Sequence, residues 1–589
     1  MHTFLSILAL FVSFHGLVFA ILAVAFTHKV ILKSSRGKDW VSKSYLIAKF
    51  IGFYLYGVAI FNIGLKDQTP SAYFAVLAFW IGIILLLEST VIDGEYDYSL
   101  TRIVTSLFTS VYFVLGLVLF SAFLFMTIFY PMGLADTKLE VAKANVSEKS
   151  LEATNEKELP VVGDHYAEYV AKRKLSSWKK NSSYFTLGKG IKQSIKGKLY
   201  YAFPIEYRGF SKWLKGQNIP GYILVNAENP NAKARFVASE MKYVPSAYFG
   251  DNVKRMVRKE HPTSVLMDIS FEVDDNEKPY YVVPYGHYDA YRDVRIVDGA
   301  VLVDPKTGKQ KDYKAKDVPA FVDQIIPTDI AQERMEWYGA FRQGGWWNAY
   351  GFILSSQTGV VEPTKWGDKD GVVGLYNNQK ELMWFSDFTN PMSGSDAMVG
   401  FATMDARTGK IMYYDGIDGL SGKDAKDVSS KGALKAEDLK GNVRGLFIIL
   451  NQPTWLVSLE DKKHVYRYTA FVNVNDTQVY AYAKNTDEAL DNYQTAIADS
   501  GNSTDASATK DVEIGKIDGR VVAVYKKEVK DKTNVQFILD NSDKIFTVTT
   551  EQYPYAMFID KGDIVSVQYF DTKLTKVSVK EFKDTTINK

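Results

Sequence analysis

The feature that most constrains this chain is a set of four long apolar runs within its first 130 residues. They extend over Phe4 to Phe26, Tyr45 to Leu65, Ser71 to Leu87 and Ile103 to Tyr130. A helix needs about 20 apolar residues to cross the roughly 30 Å hydrocarbon core of a bilayer, and a helix satisfies its own backbone polar groups in lipid. Short polar loops separate the runs, which disfavours a buried globular core. The sequence therefore predicts a membrane α-helical bundle of four spans over residues 1–133.

The first run has a second interpretation, as a secretory signal peptide. Its first three residues are Met1, His2 and Thr3, with no Lys or Arg. Its apolar stretch is also longer than the hydrophobic region of a typical signal peptide. We therefore interpret it as a retained span.

The loop after the first run predicts the orientation. Between Lys29 and Lys43 it carries five basic residues and one acid, Asp39. Short basic loops stay cytoplasmic, so the N-terminus and, after four crossings, the large C-terminal part lie outside. The expected localisation is the inner or plasma membrane, multi-pass, with an extracytoplasmic domain. The loop between the third and fourth runs argues against this orientation because it holds four acids and only Arg102, although acids contribute little to the rule.

Composition limits the chemistry that the chain can carry. There is no cysteine in 589 residues, which excludes disulfides, thiolate zinc sites, iron–sulfur clusters and a cysteine nucleophile. The net charge of +2 gives no whole-protein argument for a polyanionic partner. The part after the apolar runs is long enough for at least two domains.

Composition also divides the rest of the chain. We expect a polar stalk over 134–163, a mixed α+β extracytoplasmic domain over 164–498, a polar linker over 499–510 and a small C-terminal β-barrel over 511–589. In the α+β domain, β-rich runs such as Gly221 to Val225 alternate with helical patterns, among them Ile330 to Phe341 and Thr486 to Ile497. Five or six short strands in the last unit predict an OB-like barrel, a type that binds nucleic acids or sugars in some proteins. Its mixed charge favours contact with protein.

One short motif occurs twice in the α+β domain. Val303 to Lys309 reads V-D-P-K-T-G-K and Met404 to Lys410 reads M-D-A-R-T-G-K, each between an apolar strand and a Tyr-bearing strand. The Asp caps a turn, and the Gly supplies the positive φ that a tight hairpin needs. This pattern resembles the hairpin of PepSY-type modules, which are small extracytoplasmic αβ units often attached to membrane proteins.

Three further stretches carry a second resemblance. Tyr200 to Val225, Phe271 to Val283 and Val322 to Gly351 are similar to uncharacterised bacterial or phage-encoded multi-pass membrane proteins. The resemblance covers about residues 195 to 500, and it implies no assigned activity and no functional residues.

A basic, aromatic stretch predicts a contact surface. Between Lys172 and Lys215 there are twelve Lys or Arg residues and one acid, Glu206, with aromatic residues between them. This mixture suits an anionic membrane surface or cell-wall polymer, or a nucleic-acid backbone if the topology is inverted. It is also typical of a solvated face whose aromatics belong to the core. The candidate contact residues are Lys172, Arg173, Lys174, Trp178, Lys179, Lys180, Lys189, Lys192, Lys196 and Lys198.

A second candidate surface is aromatic. Arg342 to Asn348 reads R-Q-G-G-W-W-N, so that Trp346 and Trp347 follow paired glycines. Two adjacent indoles could stack on sugars or enter a membrane interface. Packing into the core is the alternative.

No motif predicts catalysis. The seven histidines lack metal-ligand spacing, and the densest polar cluster, His287 to Asp289 with Asp293, reads as a polar loop. Ser393 to Asp396 lacks the strand and helix around a nucleophile turn, and Asp368 to Gly371 lacks the remaining ligands of a calcium loop. We therefore expect no catalytic, metal-binding or cofactor-binding residue and no cofactor.

These observations favour a non-enzymatic integral membrane protein. Its extracytoplasmic domain would bind or scaffold envelope components, as a homo-oligomer, with the lipid bilayer and an anionic lipid or wall polymer as partners. The alternatives are a channel or transporter subunit, an envelope-polymer enzyme and, with inverted topology, a membrane-tethered nucleic-acid-binding protein. The apolar runs contain His15 and Asn62 but no opposed charged pair, which disfavours ion-coupled transport.

Overall fold

The structure is a computed structural model of the full chain. It describes residues 14–31, 39–61, 67–92, 100–147, 151, 154–178, 183–216, 218–350, 357–366, 371–392, 394, 396–430, 438–450, 452–500, 514–529, 532–550, 553–570 and 576–587.

The N-terminal region is helical. Its long helices are α1 (Phe14–Ile31), α2 (Asp39–Ala59), α3 (Pro70–Ile92) and α4 (Leu100–Leu124). A π-helical turn, Phe125–Phe129, joins α4 to the short helix α5 (Tyr130–Met132), so that one helical segment runs from α4 to Met132.

The prediction of a four-span membrane bundle over residues 1–133 is wrong. Among the described residues, only the helix Ser110–Met132 is long and apolar enough to cross a membrane. The other apolar helical stretches have 10–17 residues: His15–Ala25, Leu46–Ala59 and Pro70–Leu86. At about 1.5 Å per residue they fall short of a roughly 30 Å hydrocarbon core. Residues 4–13 of the first predicted span lie outside the described residues. Most of the chain is a mixed fold of helices and several sheets.

Aromatic packing distinguishes the shorter helices from Ser110–Met132. Phe19 of α1 is buried and lies 5.6 Å, centroid to centroid, from the ring of Phe61. The ring of Phe61 in turn stacks at 4.2 Å on that of Tyr73. These helices therefore bury side chains against one another, whereas the window Ser110–Met132 is almost wholly exposed.

The segment predicted as a stalk, 134–163, contains regular structure. It holds α6 (Ala135–Val141), β1 (Ala144–Ser147) and a 3₁₀ turn at Glu156–Glu158. β1 joins a sheet of the α+β domain, so this connection fixes the domain close to the end of the apolar helix.

Residues 185–483 form four sheets built mainly from consecutive antiparallel strands. The first sheet has β2 (Phe185–Leu187), β3 (Ile191–Ile195), β4 (Lys198–Tyr207), β5 (Ile219–Asn226) and β6 (Arg235–Met241). The second has β7 (Val265–Leu266), β8 (Ser270–Val273), β9 (Pro279–Tyr288), β10 (Arg295–Val303) and β11 (Gln310–Lys314). The third has β12 (Glu362–Pro363), β13 (Val373–Tyr376), β14 (Leu382–Thr389), β15 (Met398–Asp405) and β16 (Ile411–Gly419), with β1 parallel to β16. The fourth has β17 (Lys440–Ile449), β18 (Gln452–Glu460), β19 (Tyr466–Asn473) and β20 (Tyr480–Ala483).

Helices separate and flank these sheets. They are α7 (Asp164–Ser176), α8 (Phe210–Leu214), α9 (Val253–Glu260), α10 (Thr328–Phe341), α11 (Gly345–Tyr350), α12 (Gly422–Ser429) and α13 (Thr486–Ser500). A helix precedes each sheet in the chain, and one continuous apolar core runs between all four sheets. This arrangement is four helix-then-meander units that share a core.

A glycine marks a register shift in each sheet. The four are Gly221, Gly299, Gly400 and Gly445. A Cβ atom at Gly221 would lie 2.0 Å from the carbonyl oxygen of Val237, and one at Gly400 would lie 2.5 Å from the hydroxyl of Tyr413. Only glycine fits such an approach, and the resulting bulge bends the strand over the shared core.

The two copies of the Asp-x-x-Thr-Gly-Lys motif form closely similar turns. Asp304 Oδ1 accepts from the amides of Lys306 and Thr307 at 2.9 and 3.1 Å, and Asp405 Oδ1 accepts from those of Arg407 and Thr408 at 2.8 Å each. The glycines that follow, Gly308 and Gly409, have φ of +72° and +74°. The first turn joins β10 to β11 and the second joins β15 to β16, each as an antiparallel hairpin.

The C-terminal unit is a closed five-stranded barrel. Its strands are β21 (Ile514–Val529), β22 (Lys532–Leu539), β23 (Ile545–Thr549), β24 (Ile564–Phe570) and β25 (Lys576–Asp584). The long strand β21 pairs with both β22 and β24, and β23 runs parallel to β25. The barrel has its own apolar core, and residues 501–510 of the predicted linker lie outside the described residues.

Candidate membrane-facing surface and buried polar cluster

Paired glycines position the two tryptophans. Gly344 lies between α10 and α11, and Gly345 is the first residue of α11. Their φ angles are +148° and +69°, conformations that residues with a side chain rarely adopt. They let α11 begin directly after α10. The sequence R-Q-G-G-W-W-N therefore joins two consecutive helices, and it places Trp346 and Trp347 on the short second one.

The two tryptophans have different surroundings. Trp346 is partly buried and packs against an apolar cluster that includes Ala135 and Phe341. The side chain of Trp347 is 68% exposed, and its ring meets that of Trp346 edge to face at 4.9 Å. Tyr350, at the end of the same helix, is 58% exposed. Trp346 thus belongs to the core, and Trp347 belongs to the surface.

This surface adjoins the apolar helix. α11 packs against α6, which begins three residues after Met132, the last residue of the apolar helix. Tyr130, just before that end, is also exposed. We call Tyr130, Trp347 and Tyr350 the aromatic patch. Tyr and Trp are enriched where a bilayer meets water, because each combines an apolar ring with a polar group.

A second contact joins the α+β domain to the N-terminal helices. Arg292, between β9 and β10, lies 3.0 Å from Oδ1 of the fully buried Asp67. The hydroxyl of Tyr291 donates to the carbonyl of Ser71, at 3.3 Å. The neighbouring Asp293 pairs with Lys138 of α6 at 2.8 Å. The loop between β9 and β10 therefore ties the domain to both α3 and α6.

The basic stretch does not form a single surface. Lys172 pairs with Glu168 at 2.6 Å, Arg173 lies over the ring of Tyr169, and Lys189 lies 3.7 Å from Asp268. Lys174 follows on α7, and Trp178 packs edge-on against Phe236. Lys196 and Lys198 are exposed at the β3–β4 hairpin, whereas Lys192 faces the interior. Lys179 and Lys180 lie outside the described residues.

Lys192 belongs to an inner polar cluster between the first and fourth sheets. Burial, together with the charge of Arg444, lowers the pKa of Lys192 to about 7, and Asp164 opposes that shift. Arg444 lies 3.7 Å from Asp164, and the hydroxyl of Tyr201 donates to the carbonyl of Val162 at 3.1 Å. A lysine amine with this pKa is largely neutral just above pH 7.

Glycine makes room for this cluster. A Cβ atom at Gly163 would lie 2.4 Å from Oε1 of Glu460 and 3.2 Å from the amide nitrogen of Asn442. Burial raises the pKa of Glu460, and the nearby Arg444 opposes the rise. The start of α7 thus lies directly against the polar end of the fourth sheet.

Two buried carboxyls adjoin this cluster. The hydroxyl oxygen of Tyr376 lies 2.8 Å from both Asp323 Oδ2 and the carbonyl oxygen of Lys192, so that its one proton is shared between two acceptors. Asp323 Oδ2 also accepts from the amide of Ser194 at 2.7 Å. Burial raises the pKa of Asp323 to about 6, and burial together with the charge of Asp323 raises the pKa of Glu272 well above its usual range. Hydrogen bonds from the first and third sheets therefore meet at Asp323.

Buried ionisable groups with pKa values near neutrality are common in acid–base catalytic sites. Here Asp323 already accepts hydrogen bonds from a backbone amide and from Tyr376. This geometry favours a role in joining the sheets. Sequence reasoning missed the cluster; the one local signal was an acid, Glu272, inside the apolar strand β8.

The other predicted polar sites do not assemble. His287 pairs with Asp298 at 2.8 Å on the surface, while Asp293 pairs with Lys138. Ser393, Ser395 and residues 368–370 lie outside the described residues. Within the described ranges, no group of three or more His, Asp or Glu side chains could hold a metal ion.

Comparison with known proteins adds no relative. No protein-family model matches the chain, and a search of curated proteins finds no match.

Proposed function

We propose that this chain is a non-enzymatic, membrane-anchored protein that holds its α+β domain against a membrane surface, where the domain binds or scaffolds envelope components. The observation that carries the proposal is the continuity from the apolar helix Ser110–Met132 through α6 to β1, which pairs with β16 of the third sheet. A domain connected in this way has no long tether and stays near the bilayer.

The aromatic patch supports the same proposal. Trp347 and Tyr350 expose large rings on the helix that packs against α6, close to where the apolar helix ends. An exposed apolar surface next to a candidate membrane helix is explained if lipid covers it. We also propose that the domain lies on the extracytoplasmic side, which thiol labelling in intact cells tests.

We also propose that the barrel mediates self-association. Its 3₁₀ turn, Pro554–Phe558, exposes apolar side chains, among them Phe558 at 62% and Met557. Such a patch favours a protein partner, and a second copy of the chain is the simplest one. Light scattering of the detergent-extracted protein should show an oligomer that Phe558→Asp dissociates, while Lys561→Asp on the neighbouring turn leaves it intact. A monomeric wild-type protein would contradict this part.

The absence of cysteine allows a direct test of anchorage and side. Tyr525, in β21, is exposed, so Tyr525→Cys provides one reactive thiol in the full chain. We expect the protein to stay in the membrane pellet after alkaline carbonate extraction. A membrane-impermeant maleimide should label the thiol in intact cells, or in spheroplasts where an outer membrane is present. Extraction into the supernatant would refute the anchor, and labelling only after lysis would refute the orientation.

A further inference from the structure

A cavity with a positively charged lining lies between the second and third sheets. Its volume is about 390 Å³, within the usual range for small-molecule sites. Its lining residues are Ile296, Val297, Ala315, Lys316, Ile326, Arg334, Arg407 and Thr408. This lining holds three cationic side chains, and no acidic residue is among the described residues that form it.

Arg334 is the unusual member of this lining. It lies on α10 with only 7% of its surface exposed, and its buried Nε atom has no hydrogen-bond partner. Burial lowers the pKa of its guanidinium, which nonetheless stays charged at neutral pH because the ordinary pKa of arginine lies far above 7. A buried cation without a hydrogen-bonded partner is costly in free energy. An anion in the cavity would remove that cost.

The neighbouring acids have another partner. Asp329 and Glu333 lie on the same helix as Arg334, but their carboxylates bind Arg295 at 2.7 and 2.6 Å. The negative charge of Glu333 raises the pKa of Arg334, and the positive charge of Arg295 lowers it. One oxygen of each of these two carboxylates is therefore paired with Arg295.

The second Asp-x-x-Thr-Gly-Lys turn forms one wall of the cavity. A Cβ atom at Gly409 would lie 2.4 Å from Arg334 Nη1, so the glycine lets the guanidinium lie against the turn. Arg407 donates to the carbonyls of Val318 and Pro319 at 2.7 and 3.0 Å, which fixes its position in the cavity lining. In the first turn the glycine, Gly308, faces the ring of Tyr243 instead.

We propose that this cavity is a binding site for a small organic oxyanion, a phosphate monoester or a carboxylate. The oxyanion group would bind Arg334, whose planar guanidinium suits two-oxygen recognition, with Arg407 and Thr408 beside it. Ile296, Val297 and Ile326 would contact the apolar part of the ligand. Lys316 also lines the cavity, and its side chain is exposed. This site is independent of the proposed anchorage.

The test measures anion binding by the full-length protein in detergent. The probes are phenyl phosphate, benzoate and inorganic phosphate, each titrated against chloride at equal ionic strength. We expect phenyl phosphate or benzoate to bind more tightly than inorganic phosphate, because the apolar wall contributes. The stronger of the two identifies the oxyanion class.

Two variants separate binding from folding. Arg334→Gln should weaken the organic probe by about tenfold or more, and it should raise the thermal midpoint without anion because an unpaired buried charge is gone. Arg342→Gln, at the C-terminal end of the same helix and outside the cavity lining, should leave affinity within about twofold. Equal affinity in wild type and Arg334→Gln, or no binding of any probe by the folded wild type, would overturn the proposal. A lower thermal midpoint for Arg334→Gln would assign Arg334 to the fold and also overturn it.

Discussion

Single residues carry the contacts between sheets in this protein. Lys192, Asp323 and Tyr376 come from three separate parts of the chain and meet at the Tyr376 hydroxyl, which lies 2.8 Å from both the Lys192 carbonyl and the Asp323 carboxylate. Each is polar, and each lies in a core that is otherwise apolar. The packing of whole sheets sets their positions, and burial in that packing shifts their pKa values.

Lys192 gives a prediction about pH. Its pKa falls from 10.5 unfolded to about 7 folded, so between these values the unfolded chain holds a proton that the folded chain lacks. The contribution of Lys192 to stability therefore decreases as the pH falls from about 10.5 to about 7, and it is constant below that. Lys192→Met should raise the thermal midpoint at pH 7, and the gain should shrink by pH 9.5.

The control for this prediction is Lys198→Met on the next strand, where the side chain is exposed. It should change the midpoint little at either pH. An equal effect of Lys192→Met at both pH values would show that packing, rather than the proton, accounts for the difference.

At the scale of elements, the glycine bulges give a prediction about stability. Gly221 has φ of +157°, and a Cβ atom there would lie 2.0 Å from a backbone oxygen. The substitution Gly221→Ala must therefore move a strand. We expect a loss of about 3 kcal/mol or more in the free energy of unfolding. Gly216→Ala is the matched control, because φ there is +73° and no atom lies within 4 Å of the would-be Cβ.

This control isolates the backbone cost, about 1 kcal/mol for a left-handed residue that gains a side chain. Thermal unfolding of the two variants against wild type measures both losses. If Gly221→Ala lowers the free energy of unfolding no more than Gly216→Ala does, then the close approach of β5 and β6 is not a constraint on the fold.

Elements were also the scale at which the sequence was most informative. The helical pattern predicted over Ile330 to Phe341 is α10, Thr328–Phe341, and the pattern over Thr486 to Ile497 is α13. The two Asp-x-x-Thr-Gly-Lys turns form hairpins as their residues require. These features depend on local periodicity and turn chemistry, which a single sequence contains.

At the scale of the whole molecule, local patterns were insufficient. Hydropathy alone predicted four spans, but only Ser110–Met132 combines sufficient length with sufficient apolar character among the described residues. The cavity around Arg334 and Arg407 and the meeting of Glu272 with Asp323 were also missed. Each combines residues that are more than 50 positions apart along the chain, and sequence spacing does not predict such contacts.

For the whole molecule, we propose that the α+β domain stays at a membrane surface with the aromatic patch in contact with lipid. The most direct measurement places one thiol at Trp347→Cys in the otherwise cysteine-free chain and labels it with an environment-sensitive fluorophore. In lipid vesicles, brominated lipid should quench this label strongly and its emission should shift to the blue, whereas the same label at Tyr525→Cys in the barrel should respond as it does in water. Equal, water-like behaviour at both positions would contradict the account.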